Sequence, residues 1–413
     1  MESNPKKQSG WLAQATPLKI GRSRWTVPAL MLLGLAVLLA LVGVTFVASA
    51  SSISALHATG SSWSILQRQI VWLAIGSVVM VLTMFLPYRS WWTFGIILYV
   101  FAVATTVLTL SGVGIRRNGS ARWIGNETIG FQPSELLKLG TVVMLAGLFS
   151  KVTNRRVMGS WLFISRRLLP IIGVALLPIL LQPDMGTAVV VAIASFSVVI
   201  AAGMPGRPLL RGTGIGFGLG FLYAYSSSYR RDRLTAFLRP EHDVTGVGWH
   251  VAQSKLGFAS GRLLGVGIGA SRAKWGFVPN AHTDFIFAIV GEELGLIGAT
   301  VVVALFALIA VVGLSVVNHA QDRFGALLAV GITTWIVAQA FINMGAVLGV
   351  LPVTGVPMPF VSYGGSSVIV VAAAFGILIN VARSAEPRVA RSRPIRQRVA
   401  RRHVATGQTP SRA

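Results

Sequence analysis

The sequence predicts an all-α, polytopic membrane protein of ten transmembrane helices, with both termini cytoplasmic and one long outer loop, 226–284, between helices seven and eight. Three observations carry the expectation. Apolar residues make up 54% of the chain and charged ones 12%, against about 25% charged in soluble domains. The apolar residues gather into runs approaching the ~20 residues that cross a bilayer. The basic residues crowd the gaps between alternate runs, as the positive-inside rule requires of cytoplasmic loops.

Residues 1–26 are expected to form a basic cytoplasmic segment without a cleavable leader, since Lys6, Lys7, Lys19, Arg22 and Arg24 precede the first apolar run at 27–49. Runs at 66–86, 91–112 and 134–150 follow, the last opened by Pro133, which suits a first helical position. Runs at 168–181 and 186–203 flank the turn Gln182-Pro183-Asp184, and a weaker run occupies 209–225. An over-long run at 285–315, beginning outside the hydrocarbon layer, and runs at 325–349 and 362–382 complete a transmembrane domain spanning 27–382. The Arg-rich tail 383–413 is expected to be a disordered cytoplasmic topology anchor. Arg89, the 151–167 loop, Arg207 and Arg323 then fall inside, while loop 50–64 carries no Lys or Arg and falls outside.

A net charge of +24 beside apolar runs suits anionic lipid headgroups rather than nucleic acid. Two outer segments break the charge rule: 113–133, with Arg116, Arg117 and Arg122, and 226–284, with Arg230, Arg231, Arg233, Lys255, Arg262, Arg272 and Lys274. Cations on that face suit an anionic ligand. The long loop, Gly-rich and moderately apolar, is expected to fold back on the membrane as short amphipathic helices. With no cysteine there is no disulfide framework, thiolate metal site or Cys nucleophile. No other ligand spacing marks a metal site, and no cofactor is expected.

Acidic residues number twelve, and ionisable groups beside membrane spans are functional candidates by default. Asp284, in Ala281-His282-Thr283-Asp284, precedes helix eight and is either its N-terminal cap or a general base. Glu292 and Glu293 lie about two turns on, roughly 12 Å deeper, and are expected to pair with a basic group in the bundle. Glu135 and Lys138, at i,i+3, either pair with each other or leave the lysine to meet a phosphate, with Arg122 completing a pyrophosphate clamp. Asp184 is a helix cap or a sugar-hydroxyl contact. The Pro-rich stretch 352–360 cannot be helical, and irregular backbone at membrane depth is tolerated only when buried or lining a cavity. Ser362, Tyr363 and Gly364 open the following helix with hydroxyls and free N–H groups suited to sugar or phosphate.

Stretches 121–124, 131–139, 182–187, 281–295, 343–345 and 352–367, in this order, resemble the SEDS family (shape, elongation, division and sporulation), which includes FtsW and RodA. Ala281-His282-Thr283-Asp284, Gly291-Glu292-Glu293 and Asn343-Met344-Gly345 look more like the FtsW branch. Thr354 stands where some FtsW proteins carry lysine, and Arg239-Pro240-Glu241 departs from the family's Asp-Pro-Trp. The resemblance implies a peptidoglycan glycosyltransferase that polymerises lipid II by inversion. Asp284 matches the family's essential aspartate, Arg122 and Lys138 match basic positions of its substrate cavity, and Asp184 falls on its Gln-Pro-Asp turn with Gln182. Glu135, His282, Lys274, Ser362, Tyr363 and Gly364 complete the expected substrate surface. The implied partners are a class B penicillin-binding protein transpeptidase, other division proteins and membrane lipids. The one non-protein group to expect is a loosely held divalent cation at the pyrophosphate. A lipid II flippase, an elongation-type RodA-like polymerase and a docking scaffold are the rival readings.

Overall fold

Backbone polar groups in hydrocarbon must be satisfied within their own segment, so uninterrupted apolar runs fold as helices. The computed structural model describes residues 25–117, 120–126, 130–227, 230–231, 235, 237, 246–276 and 281–385. Most of the basic segment 1–26 and of the tail 383–413, with Arg233 and Arg239-Pro240-Glu241, lie outside these.

In chain order come α1 (Val27–Thr59), α2 (Ser64–Phe85), α3 (Trp91–Leu108), strands β1 (Ile115–Arg117), β2 (Ser120–Gly125) and β3 (Gly130–Phe131), then α4 (Pro133–Lys151). They are followed by α5 (Leu169–Leu181), α6 (Met185–Ala201), α7 (Gly206–Tyr225), α8 (Val247–Gly261), α9 (Ile286–His319), α10 (Arg323–Val347) and α11 (Ser366–Ser384). Among the described residues, eight helices are long and apolar enough to cross a membrane: α1, α2, α4, α9, α10, α11, and α3 and α5 with their flanking turns. The chain is a helical, multi-pass membrane protein. α6 is apolar but 17 residues long, and α7 is diluted by Arg207, Arg211 and glycine.

Three features depart from the sequence expectation. The 113–133 segment is not helical or loop: β1, β2 and β3 form a small antiparallel sheet, so the protein is not purely α. Helix α1 continues ten residues past 49 to Thr59, stopped by Gly60 in the left-handed conformation at φ 73°, which shrinks the expected 50–64 loop. The over-long eighth run is two helices in one, broken at Gly295 (φ 69°, ψ −164°).

The bundle is centred on α4, α10 and α11, whose apolar windows are 83%, 72% and 94% buried, against 22% for α2. Helices α2, α3, α6 and α9 pack around these three. Loops expected on the cytoplasmic side meet at one end. There Arg89 Nε pairs with Asp322 at 2.8 Å, Thr26 Oγ1 donates to the Ala382 carbonyl, and Arg323 donates to the Ala202 carbonyl. The Arg155 guanidinium reaches the Gly203 carbonyl.

Candidate active site

The three central helices hold buried polar residues, among them Glu135, Lys138, Gln339, Asn343 and Ser367, because a polar side chain costs least where the protein itself supplies its partners. On α4, Lys138 Nζ lies 2.8 Å from Glu135 and donates at 2.8 Å to Gln339 Oε1 of α10. It also sits 5.3 Å from the centre of the Trp335 ring. Glu135 accepts from Ser367 Oγ of α11 at 2.9 Å. Lys138 is sealed inside the bundle and paired with its i,i+3 acid.

Arg122, on β2, turns toward the start of α6. Its guanidinium donates to the Pro183 carbonyl at 2.6 Å and the Gln182 carbonyl at 3.4 Å, and lies 3.5 Å from Asp184 Oδ1. Asp184 caps α6 by accepting from Thr187 N and Thr187 Oγ1, and also accepts from Gln132 Nε2 at 3.3 Å. The Gln182 amide donates to the Thr106 carbonyl and to Thr109 Oγ1.

Asp284 lies in the turn 281–285 just before α9 and is partly exposed, whereas Glu135, Asp184, Glu292 and Glu293 are buried. Its carbonyl and that of Val356 accept from Asn343 Nδ2 of α10, at 2.9 and 2.8 Å. Its carboxylate faces Gly355 (φ +72°), where a Cβ would stand 3.5 Å from Asp284 Oδ2. The Pro-rich stretch is held from below by Gln339, which donates to the Pro357 carbonyl. At its side, a Cβ on Gly186 would lie 2.8 Å from the Thr354 carbonyl, so α6 can approach only with glycine there. Ser362 Oγ accepts from Met358 N, and Tyr363 N donates to the His282 carbonyl. The His282 and Tyr363 rings meet edge to face at 5.7 Å, and burial pushes the His282 imidazole down to about 4. Gly364 adjoins them at the mouth of α11, its own carbonyl accepting from Ser367 N.

The six motif stretches, far apart in sequence, therefore form one connected surface. Arg122 and Gln132 join at Asp184, Gly186 abuts Thr354, and Gly355 abuts Asp284. Four buried polar atoms in these stretches, Gln182 Oε1, Glu293 Oε2, Asn343 Oδ1 and Thr354 Oγ1, have no hydrogen-bond partner among the described residues. Such atoms cost roughly 1–3 kcal/mol each when no partner reaches them. Lys274 lies apart, in the turn Ala273–Trp275, donating to the Gly269 carbonyl. Among the described residues, Glu292 and Glu293 do not pair with a basic side chain as expected. Hydroxyls and backbone N–H groups of 260–273 and Ser49 serve them instead. Sequence reasoning also missed Gln339 and Trp335, although an amide inside an apolar helix is itself a signal. Among the described residues no cluster of His, Cys, Asp or Glu could hold a metal ion.

The comparisons with known proteins agree on one relationship. The family model for FtsW, RodA and SpoVE, described as cell cycle protein, matches residues 29–387. The chain is 37% identical over 353 residues to the probable peptidoglycan glycosyltransferase FtsW of Geobacter sulfurreducens, covering 85% of this chain and 94% of that one. It is 37% identical to the stage V sporulation protein E of Bacillus subtilis over 367 residues, 87% and 98% of the two chains. Among solved structures, a chain of a peptidoglycan synthase complex, described as coordinating polymerization and crosslinking, superposes with a TM-score of 0.69 at 28% identity. That match covers 85% of this chain and 96% of that one. The rod shape determining protein RodA of Thermus thermophilus superposes at 0.63 with 27% identity, covering 86% and 97%. The chain belongs to the FtsW/RodA/SpoVE family.

Proposed function

We propose that the chain is a peptidoglycan glycosyltransferase that polymerises lipid II into glycan strands at the outer face of the bacterial cytoplasmic membrane, for septal wall synthesis in cell division. Its family membership and relatives named as peptidoglycan glycosyltransferases support the reaction class. One observation carries the site: Asp284 is the partly exposed carboxylate on the surface where the six motif stretches meet.

In this reading α6 and α7 also cross the membrane, making ten spans with both termini cytoplasmic and the motif surface outside. Asp284 takes the proton of the acceptor's sugar hydroxyl as that oxygen attacks the donor's anomeric carbon. The new C–O bond forms on the face opposite the breaking one, so configuration inverts, and the electron pair leaves with the polyprenyl pyrophosphate. A positioned general base contributes about 10²–10⁴-fold. Arg122, 20% exposed, is the cation best placed to meet the leaving pyrophosphate, whereas Lys138 reaches it only if its pairing with Glu135 opens. Gln182, Asp184, Ser362, Tyr363 and Gly364 form the walls, and Lys274 meets the substrate only if the outer segment moves. A divalent cation, where used, is carried by the pyrophosphate itself. The synthase complex among the structural neighbours supports a transpeptidase of the class B penicillin-binding type as partner.

The test is purified protein with its transpeptidase in vesicles holding labelled lipid II. Glycan chains support the polymerase. Translocation of lipid II across the vesicle without joining would replace it with a flippase.

A further inference from the structure

Helix α9 should be strained at Gly295, because the break leaves carbonyls at the end of its first half and N–H groups at the start of its second without intrahelical partners. The outer segment supplies them. Leu296 N and Ile297 N donate to the carbonyls of Arg262 and Leu263 at 2.9 and 3.2 Å. The carbonyls of Glu292 and Glu293 accept from Val266 N and Gly267 N at 3.0 and 3.1 Å. The backbones touch so closely that a Cβ on Gly265 would fall 2.1 Å from the Glu293 carbonyl oxygen.

The side chains of the same two glutamates bind the next part of that segment. Glu292 Oε1 accepts from Arg272 N at 3.0 Å and Ser260 Oγ at 3.4 Å. Its Oε2 accepts from Ser271 Oγ at 2.5 Å and Ala273 N at 3.3 Å. Glu293 is one-sided: Oε1 accepts from Ser49 Oγ at 2.5 Å and Ser271 N at 3.3 Å, while Oε2 has no partner among the described residues. The first half of α9, 286–294, is therefore gripped at its far end and begins two residues after Asp284.

We propose that Glu292 is a positioning residue for the glycosyl transfer: it locks the outer segment 260–273 onto the first half of α9 and so fixes Asp284. The inference rests on Asp284 being the general base. Both oxygens of Glu292 face backbone N–H groups, so a glutamine there opposes a donor with a donor whichever way its amide turns. At Glu293 the amide can place its NH₂ at Oε2, which no donor among the described residues faces. Gln is thus tolerated at 293 and not at 292, a contrast that adjacency and burial alone would not produce.

The experiment measures kcat and KM for lipid II polymerisation, with hydrogen exchange of the 260–273 and 295–297 amides, in Glu292→Gln, Glu293→Gln and Asp284→Asn. A displacement of about 1 Å can cost on the order of 10²-fold. Glu292→Gln is expected to lose about 10- to 100-fold in kcat at unchanged KM, with faster exchange at Val266, Gly267, Leu296 and Ile297. Glu293→Gln is expected to stay within about threefold of wild type. Wild-type kcat in Glu292→Gln, or equal losses at both positions, with Asp284→Asn inactive, overturns the positioning role alone. An active Asp284→Asn removes the base reading beneath it. Should Glu292→Gln fail to fold, Ser271→Ala removes one donor while keeping the carboxylate; a kcat fall at constant KM is expected, and an unchanged kcat refutes the proposal.

Discussion

Lys138→Met isolates the buried pair at the centre of the bundle. The ammonium sits 2.8 Å from the Glu135 carboxylate, and the two side chains are 0% and 1% exposed. Removing it strands Glu135, whose remaining donor among the described residues is the Ser367 hydroxyl, and deprives Gln339 Oε1 of one of its two donors. Breaking a buried ion pair from one side costs about 3–5 kcal/mol, because the surviving charge stays desolvated. Methionine fills most of the lysine volume, so little of the loss is cavity. In Glu135→Gln/Lys138→Met no charge is stranded, and most of that stability returns. The assay is reversible unfolding in mixed detergent of the four members of the cycle, with polymerisation measured on each. A single-variant loss under about 1 kcal/mol would refute the reasoning about the pair. A double variant that is stable and active makes Lys138 a strut, whereas one that is stable and inactive returns it to the pyrophosphate clamp.

Gly186→Ala places a Cβ 2.3 Å from Val356 Cγ2 and 2.8 Å from the Thr354 carbonyl, so α6 and the Pro-rich stretch must part. Overpacking of this kind costs about 1–3 kcal/mol, and steady-state kinetics should show a fall in kcat exceeding the change in KM. His282 is held to about 4 by burial, below its unfolded value of about 6.5. The unfolded state therefore binds the extra proton first. Its contribution to stability is complete above about pH 6.5 and falls by at most about 1.4 kcal/mol per pH unit down to about pH 4. Melting curves in detergent should show this slope in wild type and a shallower one in His282→Gln.

Features set by neighbouring residues were legible in the sequence. Pro133 opens α4, and Asp184 caps α6, because caps and first-turn prolines depend on residues within one turn. The Glu135–Lys138 spacing is equally local. What was not legible depends on distant partners. The apolar run continues through Gly295 without a change of period, and the break is completed by carbonyls and N–H groups some thirty residues upstream. Two of the four donors to Glu292 are backbone amides, which carry no residue signature. Gln339 joins Lys138 to the Pro357 carbonyl, and only the packing of α4, α10 and the Pro-rich stretch reveals it. The 113–133 strands were missed because three short, Arg- and Gly-bearing segments show neither alternation nor helical period.

The central claim is that Asp284 accepts the acceptor's proton. Asp284→Asn keeps the shape of the side chain and removes its basicity, so single-turnover joining of lipid II, with binding measured separately, tests it most directly. Unchanged binding with a rate lower by about 10²–10⁴-fold is predicted. Joining at the wild-type rate by folded Asp284→Asn protein would contradict the account.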